Sequence, residues 1–99
     1  MNEKQDQGMQ ITIDASKIEP VYSNFGNISH QPFDFTFDFI RISPPRGDLV
    51  SRVMMSPQHA KSFLAALTEN IAQYEKTFGL IPGPPDPSAV KGPQVGFAN

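Results

Sequence analysis

Two histidines and two closely spaced aspartates are the side chains best suited to bind a metal ion or move a proton. They are His30, His59, Asp34 and Asp38. Imidazole and carboxylate groups are suitable ligands for zinc or manganese. Asp34 and Asp38, however, lie in an alternating segment, where four residues of extended chain separate two side chains by about 13 Å. Both carboxylates cannot bind one ion directly at that distance, so we interpret them as solvated or interface-facing groups.

The sequence shows no catalytic constellation. A catalytic histidine needs an orienting partner and a nucleophile close by, and no such pair is recognisable around His30 or His59. His59 lies in the first turn of a predicted helix, where its imidazole can satisfy a first-turn backbone group or face solvent. We therefore predict that the protein is not an enzyme and has no catalytic, cofactor-binding or metal-binding residue.

Composition limits the remaining classes of function. The chain has 99 residues, no cysteine and a formal net charge of −2. Disulfides and thiolate metal sites are therefore excluded, and no overall charge attracts nucleic acid or an anionic membrane. Residues 1–10 are too polar for a signal peptide, and no apolar run approaches the length of a membrane span. We expect a cytoplasmic protein with neither a nucleic-acid nor a membrane partner.

Residues 56–79 predict one long helix. Ser56 is a good N-cap, Pro57 suits the first helical position, and Gly79 can take the left-handed conformation that ends a helix. Apolar residues between them recur at spacings of three and four, which predicts one apolar stripe. The stripe consists of Ala60, Phe63, Leu64, Leu67, Ile71, Tyr74 and Phe78.

Residues 33–39 give the strongest strand signal, because four phenylalanines alternate with Asp, Thr and Asp. Extended to Ile42, this strand is about as long as the helix, roughly 33 Å. We predict that the phenylalanines Phe33, Phe35, Phe37 and Phe39 face Phe63, Leu67, Ile71 and Tyr74 of the helix.

Three weaker segments complete the predicted sheet. Residues 10–14 and 21–29 precede the phenylalanine strand, with Gly26 marking a bulge or a close backbone approach. Residues 43–48, Ser-Pro-Pro-Arg-Gly-Asp, are turn-forming by composition. A strand over residues 49–55 follows, with Leu49, Ser51, Val53 and Met55 on one face.

The predicted fold class is α+β, with an antiparallel sheet of three to four strands followed by one long helix packed on one face. We divide the chain into a flexible N-terminal arm (1–9), a single domain (10–81) and a Pro/Gly-rich tail (82–99). Neither end is expected to be needed for folding, because composition prevents regular structure there.

One helix can cover only one face of this sheet, yet apolar residues also lie on the other face. A small domain without disulfides commonly gains stability by self-association. We therefore predict a homodimer or larger assembly joined through the sheet. The predicted interface residues are Ile40, Ile42, Val50, Met54, Asp34 and Asp38. The alternative for Asp34, Thr36 and Asp38 is an ordinary solvated face.

Two motifs define the ends of the predicted helix: Ser-Pro-x-His-Ala-Lys at residues 56–61 and Asn-Ile-x-x-Tyr-Glu-x-x-Phe-Gly at residues 70–79. With these motifs the chain resembles a family of short bacterial and archaeal proteins catalogued as a domain of unknown function. The similarity covers about residues 21–81 and is more specific in the helix than in the strands. The resemblance implies no activity and no functional residue.

Three functions remain open at this point. The first is a non-enzymatic, homo-oligomeric protein-binding or scaffold module. The second is a peptide-binding chaperone similar to SecB, an analogy that rests only on the order of strands and helix. The third is a nucleic-acid-associated dimer, which would need Lys17, Arg41, Arg46 and Arg52 on one face.

Overall fold

The computed structural model describes residues 8–83 and 96–98 of the chain. These residues form an α+β fold, as the sequence predicts. The elements in chain order are a 3₁₀ turn (Ala15–Lys17), β1 (Phe25–Gln31), β2 (Asp34–Ser43), β3 (Arg46–Met55), α1 (Pro57–Phe78) and β4 (Gly96–Ala98).

The four strands form one sheet in the order β3-β2-β1-β4. β1 and β3 both pair antiparallel with β2, whereas β4 pairs parallel with β1. Pro32 and Phe33 form the turn between β1 and β2, and Pro44 and Pro45, joined by a cis peptide bond, form the turn between β2 and β3. The second turn is shorter than residues 43–48, because β3 already begins at Arg46.

The alternation predicted for the phenylalanine strand is present in β2. Phe37 lies opposite Ile28 of β1 and Val53 of β3, and directly opposed residues share a face of a sheet. Phe35 and Phe39 lie on that same face. Phe33 does not, because it belongs to the preceding turn and its side chain is 86% exposed. The prediction that Phe33 faces the helix is therefore wrong.

A register shift between Phe39 and Ile40 alters the predicted faces of β3. Ser51 lies opposite Phe39, but Leu49 rather than Val50 lies opposite Ile40. One extra residue in β3 therefore forms a bulge at this point. The bulge moves Leu49 from the phenylalanine face, where strict alternation places it, to the face of Ile40.

Both predicted ends of α1 are confirmed. The Ser56 side chain accepts a hydrogen bond of 3.1 Å from the backbone N–H of His59, and Pro57 is the first helical residue. At the other end, Gly79 has a φ of 101° and donates its N–H to the carbonyl of Glu75 at 3.0 Å. No helix in the described residues has the length and apolar character to cross a membrane.

The region before β1 differs from the prediction. Residues 10–14 form no strand, and β1 begins at Phe25 rather than at Val21. Asn24 lies directly before β1, and its side-chain amide accepts from the Ile42 N–H at 2.8 Å and donates to the Ile42 carbonyl at 3.1 Å. Its backbone N–H also donates to the Ile40 carbonyl at 3.1 Å, so residue 24 is bonded to β2 through both its backbone and its side chain.

The Pro/Gly-rich tail also differs from the prediction, because residues Gly96–Ala98 form the regular strand β4. Phe97 lies opposite Gly26, and its ring makes an edge-to-face contact with Phe39 at a centroid distance of 6.0 Å. A Cβ on Gly26 would overlap the Phe97 ring and would lie 2.8 Å from the Asp38 carbonyl oxygen. The predicted close backbone approach at Gly26 is therefore confirmed. The predicted arm (1–9) lies mostly outside the described residues.

Candidate interaction surface

The main candidate surface is the apolar stripe of α1, which the sheet leaves largely uncovered. Contact between helix and sheet centres on Phe37 and Phe63, whose rings meet edge to face at a centroid distance of 5.7 Å. Phe37 is 7% exposed and is the only buried large apolar residue among those the structure describes. The domain therefore has a very small hydrophobic core.

Exposure remains high along the whole stripe. The exposed fractions are 41% for Phe63, 61% for Leu64, 45% for Leu67, 39% for Ile71, 50% for Tyr74 and 73% for Phe78. We predicted that the phenylalanines of the sheet face Ile71 and Tyr74. The sheet nevertheless leaves both side chains largely uncovered. Tyr74 packs instead against Phe78, at a centroid distance of 4.9 Å. Contiguous apolar surface of this kind typically marks an interaction site.

A cleft of about 240 Å³ opens where α1 leaves the sheet. It is lined by Ile28, Phe35, Phe37, Ala60, Phe63, Leu64 and Leu67. All seven lining residues are apolar, so the cleft has no side-chain group that could act as an acid, a base or a nucleophile. It is suited to receive apolar side chains.

The opposite face of the sheet holds the residues predicted as an interface. Asp34, Asp38, Ile40 and Ile42 alternate along β2 on this face. Met54 joins them, because it lies opposite Thr36, and its side chain is 56% exposed. Ile40, Ile42 and Val50 are half-buried. Their role in an interface remains a prediction, since the structure contains a single chain.

This face also contains an apolar neighbour that the sequence analysis did not identify. Phe25 lies directly opposite Ile40 on β1. The sequence signal was present, because Phe25, Asn27 and Ser29 alternate with Gly26 and Ile28. It was missed because the weak β propensity of Asn and Gly hid the alternation.

Asp38 forms an ion pair rather than a free interface carboxylate. It lies opposite Arg52, whose guanidinium donates to its two carboxylate oxygens at 2.6 and 3.1 Å. This hydrogen bonding, assisted by the charge of Arg52, lowers the pKa of Asp38 although desolvation acts in the other direction. Bidentate pairing of this kind is directional, so it favours the register in which Asp38 lies opposite Arg52.

The remaining candidates for chemistry lie apart from one another. His30 stacks against Phe35 on the helix side of the sheet, at a centroid distance of 5.6 Å. His59 lies in the first turn of α1 and is exposed. Asp34, opposite Gln31, lies on the other face of the sheet from His30. Within residues 8–83 and 96–98, no three His, Asp or Glu side chains come close enough to hold a metal ion.

Comparison with known proteins identifies one family. Its model, described as "Protein of unknown function (DUF3467)", matches residues 1–82. Comparison with curated proteins and with solved structures gives no match.

Proposed function

We propose that this chain, which belongs to the DUF3467 family of proteins of unknown function, is a non-enzymatic binding module that functions as a homo-oligomer joined through α1. The observation that carries the proposal is the apolar stripe from Phe63 to Phe78, none of which is less than 39% exposed. In the described part of the chain Phe37 is the one buried phenylalanine, so a single copy gains little hydrophobic stabilisation. A second copy that packs on α1 buries the apolar stripe.

The size of the stripe supports a second copy as its occupant. Large side chains bury roughly 150–250 Å² each, so the exposed fractions leave about 600 Å² of stripe per copy. A standard interface buries about 800 Å² per partner. Val53, at 41% exposed, and Ile81, at 46% exposed, bring the available apolar surface to that size.

An antiparallel arrangement of two helices suits this stripe. With a two-fold axis near Leu67, Phe63 and Leu64 of one copy meet Ile71 and Tyr74 of the other. Antiparallel helix dipoles attract each other. The same arrangement brings Lys61 of each copy towards Glu75 of its partner, which places opposite charges at both ends of the interface.

A peptide-binding, chaperone-like function is the second candidate. It is favoured by the cleft between sheet and helix, which is lined by Phe35, Phe37 and Phe63 and would accept apolar side chains of an extended chain. This function uses the same surface as self-association. The oligomeric state therefore separates the two candidates.

Light scattering at micromolar concentration, on the parent and three single variants, tests the proposal. Ile71→Asp places a carboxylate in the middle of the stripe, where burial would remove its hydration without supplying a partner. We expect this variant to be monomeric. Gln73→Asp adds the same charge to the same helix at a polar, exposed position and should leave the oligomer intact.

The third variant, Ile40→Asp, tests the face predicted from the sequence. Dissociation by Ile40→Asp but not by Ile71→Asp would place the interface on the opposite side of the sheet and contradict the proposal. A monomeric parent would also contradict it and leave the stripe to the peptide-binding candidate. Circular dichroism of each variant checks that dissociation does not result from unfolding.

A further inference from the structure

The outer edge of β3 is a place where a further strand can pair. β3 is the outer strand in the order β3-β2-β1-β4, and no segment among residues 8–83 and 96–98 pairs with its outer side. Past the bulge, residues 51–55 run in regular register against β2, from Ser51 opposite Phe39 to Met55 opposite Phe35. Such an edge is a template for another strand.

Residues 10–14 have the pattern of a strand but pair with no strand among the residues that the structure describes. Ile11 and Ile13 are 77% and 87% exposed, and they alternate with Gln10, Thr12 and Asp14. Residues 11–14 are about 14 Å long as a strand, which is also the length of residues 52–55 within the regular edge.

We propose that residues 11–14 of one copy add as an antiparallel strand to residues 52–55 of a second copy. The inference rests on the proposed homo-oligomer and specifies a second contact within it. The register that fits both segments places Ile13 opposite Val53, Ile11 opposite Met55 and Asp14 opposite Arg52.

The faces of the two segments match in this register. Val53 and Met55 lie on the phenylalanine face of the sheet, so the two isoleucines extend the apolar side that α1 leaves uncovered. A shift by one residue would move both isoleucines to the face of Arg52 and Met54. After a shift in either direction only one isoleucine would lie opposite Met54, and the other would lie opposite Arg52 or Ser56.

Charge favours the same register. Arg52 is 57% exposed although it binds Asp38, and it therefore has donors available for a second carboxylate. Asp14 would supply that carboxylate from the added strand, on the face that already carries the Asp38–Arg52 pair. On this face the added strand therefore contributes an opposite charge to Arg52.

The path of the chain favours pairing of this segment with the β3 edge of a second copy over pairing with its own β3. Residues 15–24 lead to Asn24, which is bonded to Ile42 on the side of β2 remote from β3. To reach the edge of its own β3, the segment would have to cross a face of the sheet. A second copy presents the same edge without that crossing.

Cysteine cross-linking tests the register directly, because the chain has no cysteine of its own. Ile13→Cys is introduced into a tagged chain and Val53→Cys into an untagged chain, and the two are refolded together and oxidised mildly. Directly opposed residues have Cα atoms about 4.5–5.5 Å apart, which is within the range for a disulfide. We expect a covalent heterodimer, and the pair Ile11→Cys with Met55→Cys should behave alike.

The matched control is Thr12→Cys with Val53→Cys, which is displaced by one residue and faces the other side of the sheet. It should cross-link far less. Cross-linking within one chain that carries both Ile13→Cys and Val53→Cys, without a covalent dimer, would overturn exchange between copies.

Light scattering of the same samples separates the two proposals. An oligomer that yields neither cross-link overturns the added strand and leaves the proposed function intact. A monomer without a cross-link overturns both. Circular dichroism confirms that the cysteine variants are folded, which is expected because Ile13 is 87% exposed and Val53 is 41% exposed.

Discussion

Truncating the two rings that join sheet and helix should have unequal effects. Phe37 is 7% exposed, whereas its partner Phe63 is 41% exposed. Replacing a buried phenylalanine by alanine costs about 3–5 kcal/mol, and we expect Phe37→Ala near the lower end because the neighbouring cleft already admits solvent. Phe63→Ala should cost about half as much, because less of its surface leaves water.

The double variant measures the contact between the rings. Aromatic pairs contribute roughly 0.5–1.5 kcal/mol beyond area burial, so the two single losses should exceed the loss in the double variant by that amount. Urea unfolding followed by circular dichroism gives all three free energies. Measurement at several protein concentrations separates folding from association, since only an oligomer shows a concentration-dependent midpoint.

Two results would refute this reasoning. If Phe37→Ala unfolded at the same urea concentration as the parent, Phe37 would not be the centre of the core. If Phe63→Ala were as damaging as Phe37→Ala at the lowest protein concentration, α1 would be covered by its own chain. The exposed stripe would then not be available to a second copy.

Two further predictions concern the edges of the sheet. Phe97→Ala should lower the free energy of unfolding by about 1 kcal/mol, because its half-exposed ring covers Gly26. Thermal melting measures this loss. The control is Leu80→Ala, at an 85% exposed position, whose melting temperature should change little. The pKa of Asp38 is lowered in the folded state, so its pairing with Arg52 stabilises the fold above about pH 4 and is lost as the pH falls through the lowered pKa. Asp38→Asn should therefore melt earlier than the parent at pH 7, with a difference that shrinks towards pH 3. A difference that stayed constant with pH would mean that the carboxylate charge has no part in it.

Local signals predicted the helix and the central strand. Ser56 and Gly79 determine the ends of α1 through hydrogen bonds within one or two turns, and the alternation of Phe35, Phe37 and Phe39 is a property of the strand itself. These features depend on neighbours in sequence. Short-range chemistry was therefore sufficient to identify them.

Features that depend on distant partners were missed. The strand β4 was missed because the composition of the tail says nothing about the space above Gly26 that the Phe97 ring fills. The bulge opposite Ile40 depends on two strands together. The exposed stripe was missed because periodicity shows which face of α1 is apolar but not how much of it the sheet can reach.

The parallel pairing of β1 with β4 has a consequence for the order in which the protein folds. Phe25 meets Gly96, 71 positions further along the chain, whereas β1 and β2 are joined by a two-residue turn. Closing so long a loop costs about 4 kcal/mol of chain entropy before any contact forms, and only three residues of β4 offset it. We therefore expect β4 to dock last and open first. In native-state hydrogen exchange, the amide of Gly96, which donates to the Asn24 carbonyl, should lose protection before the amides of β2.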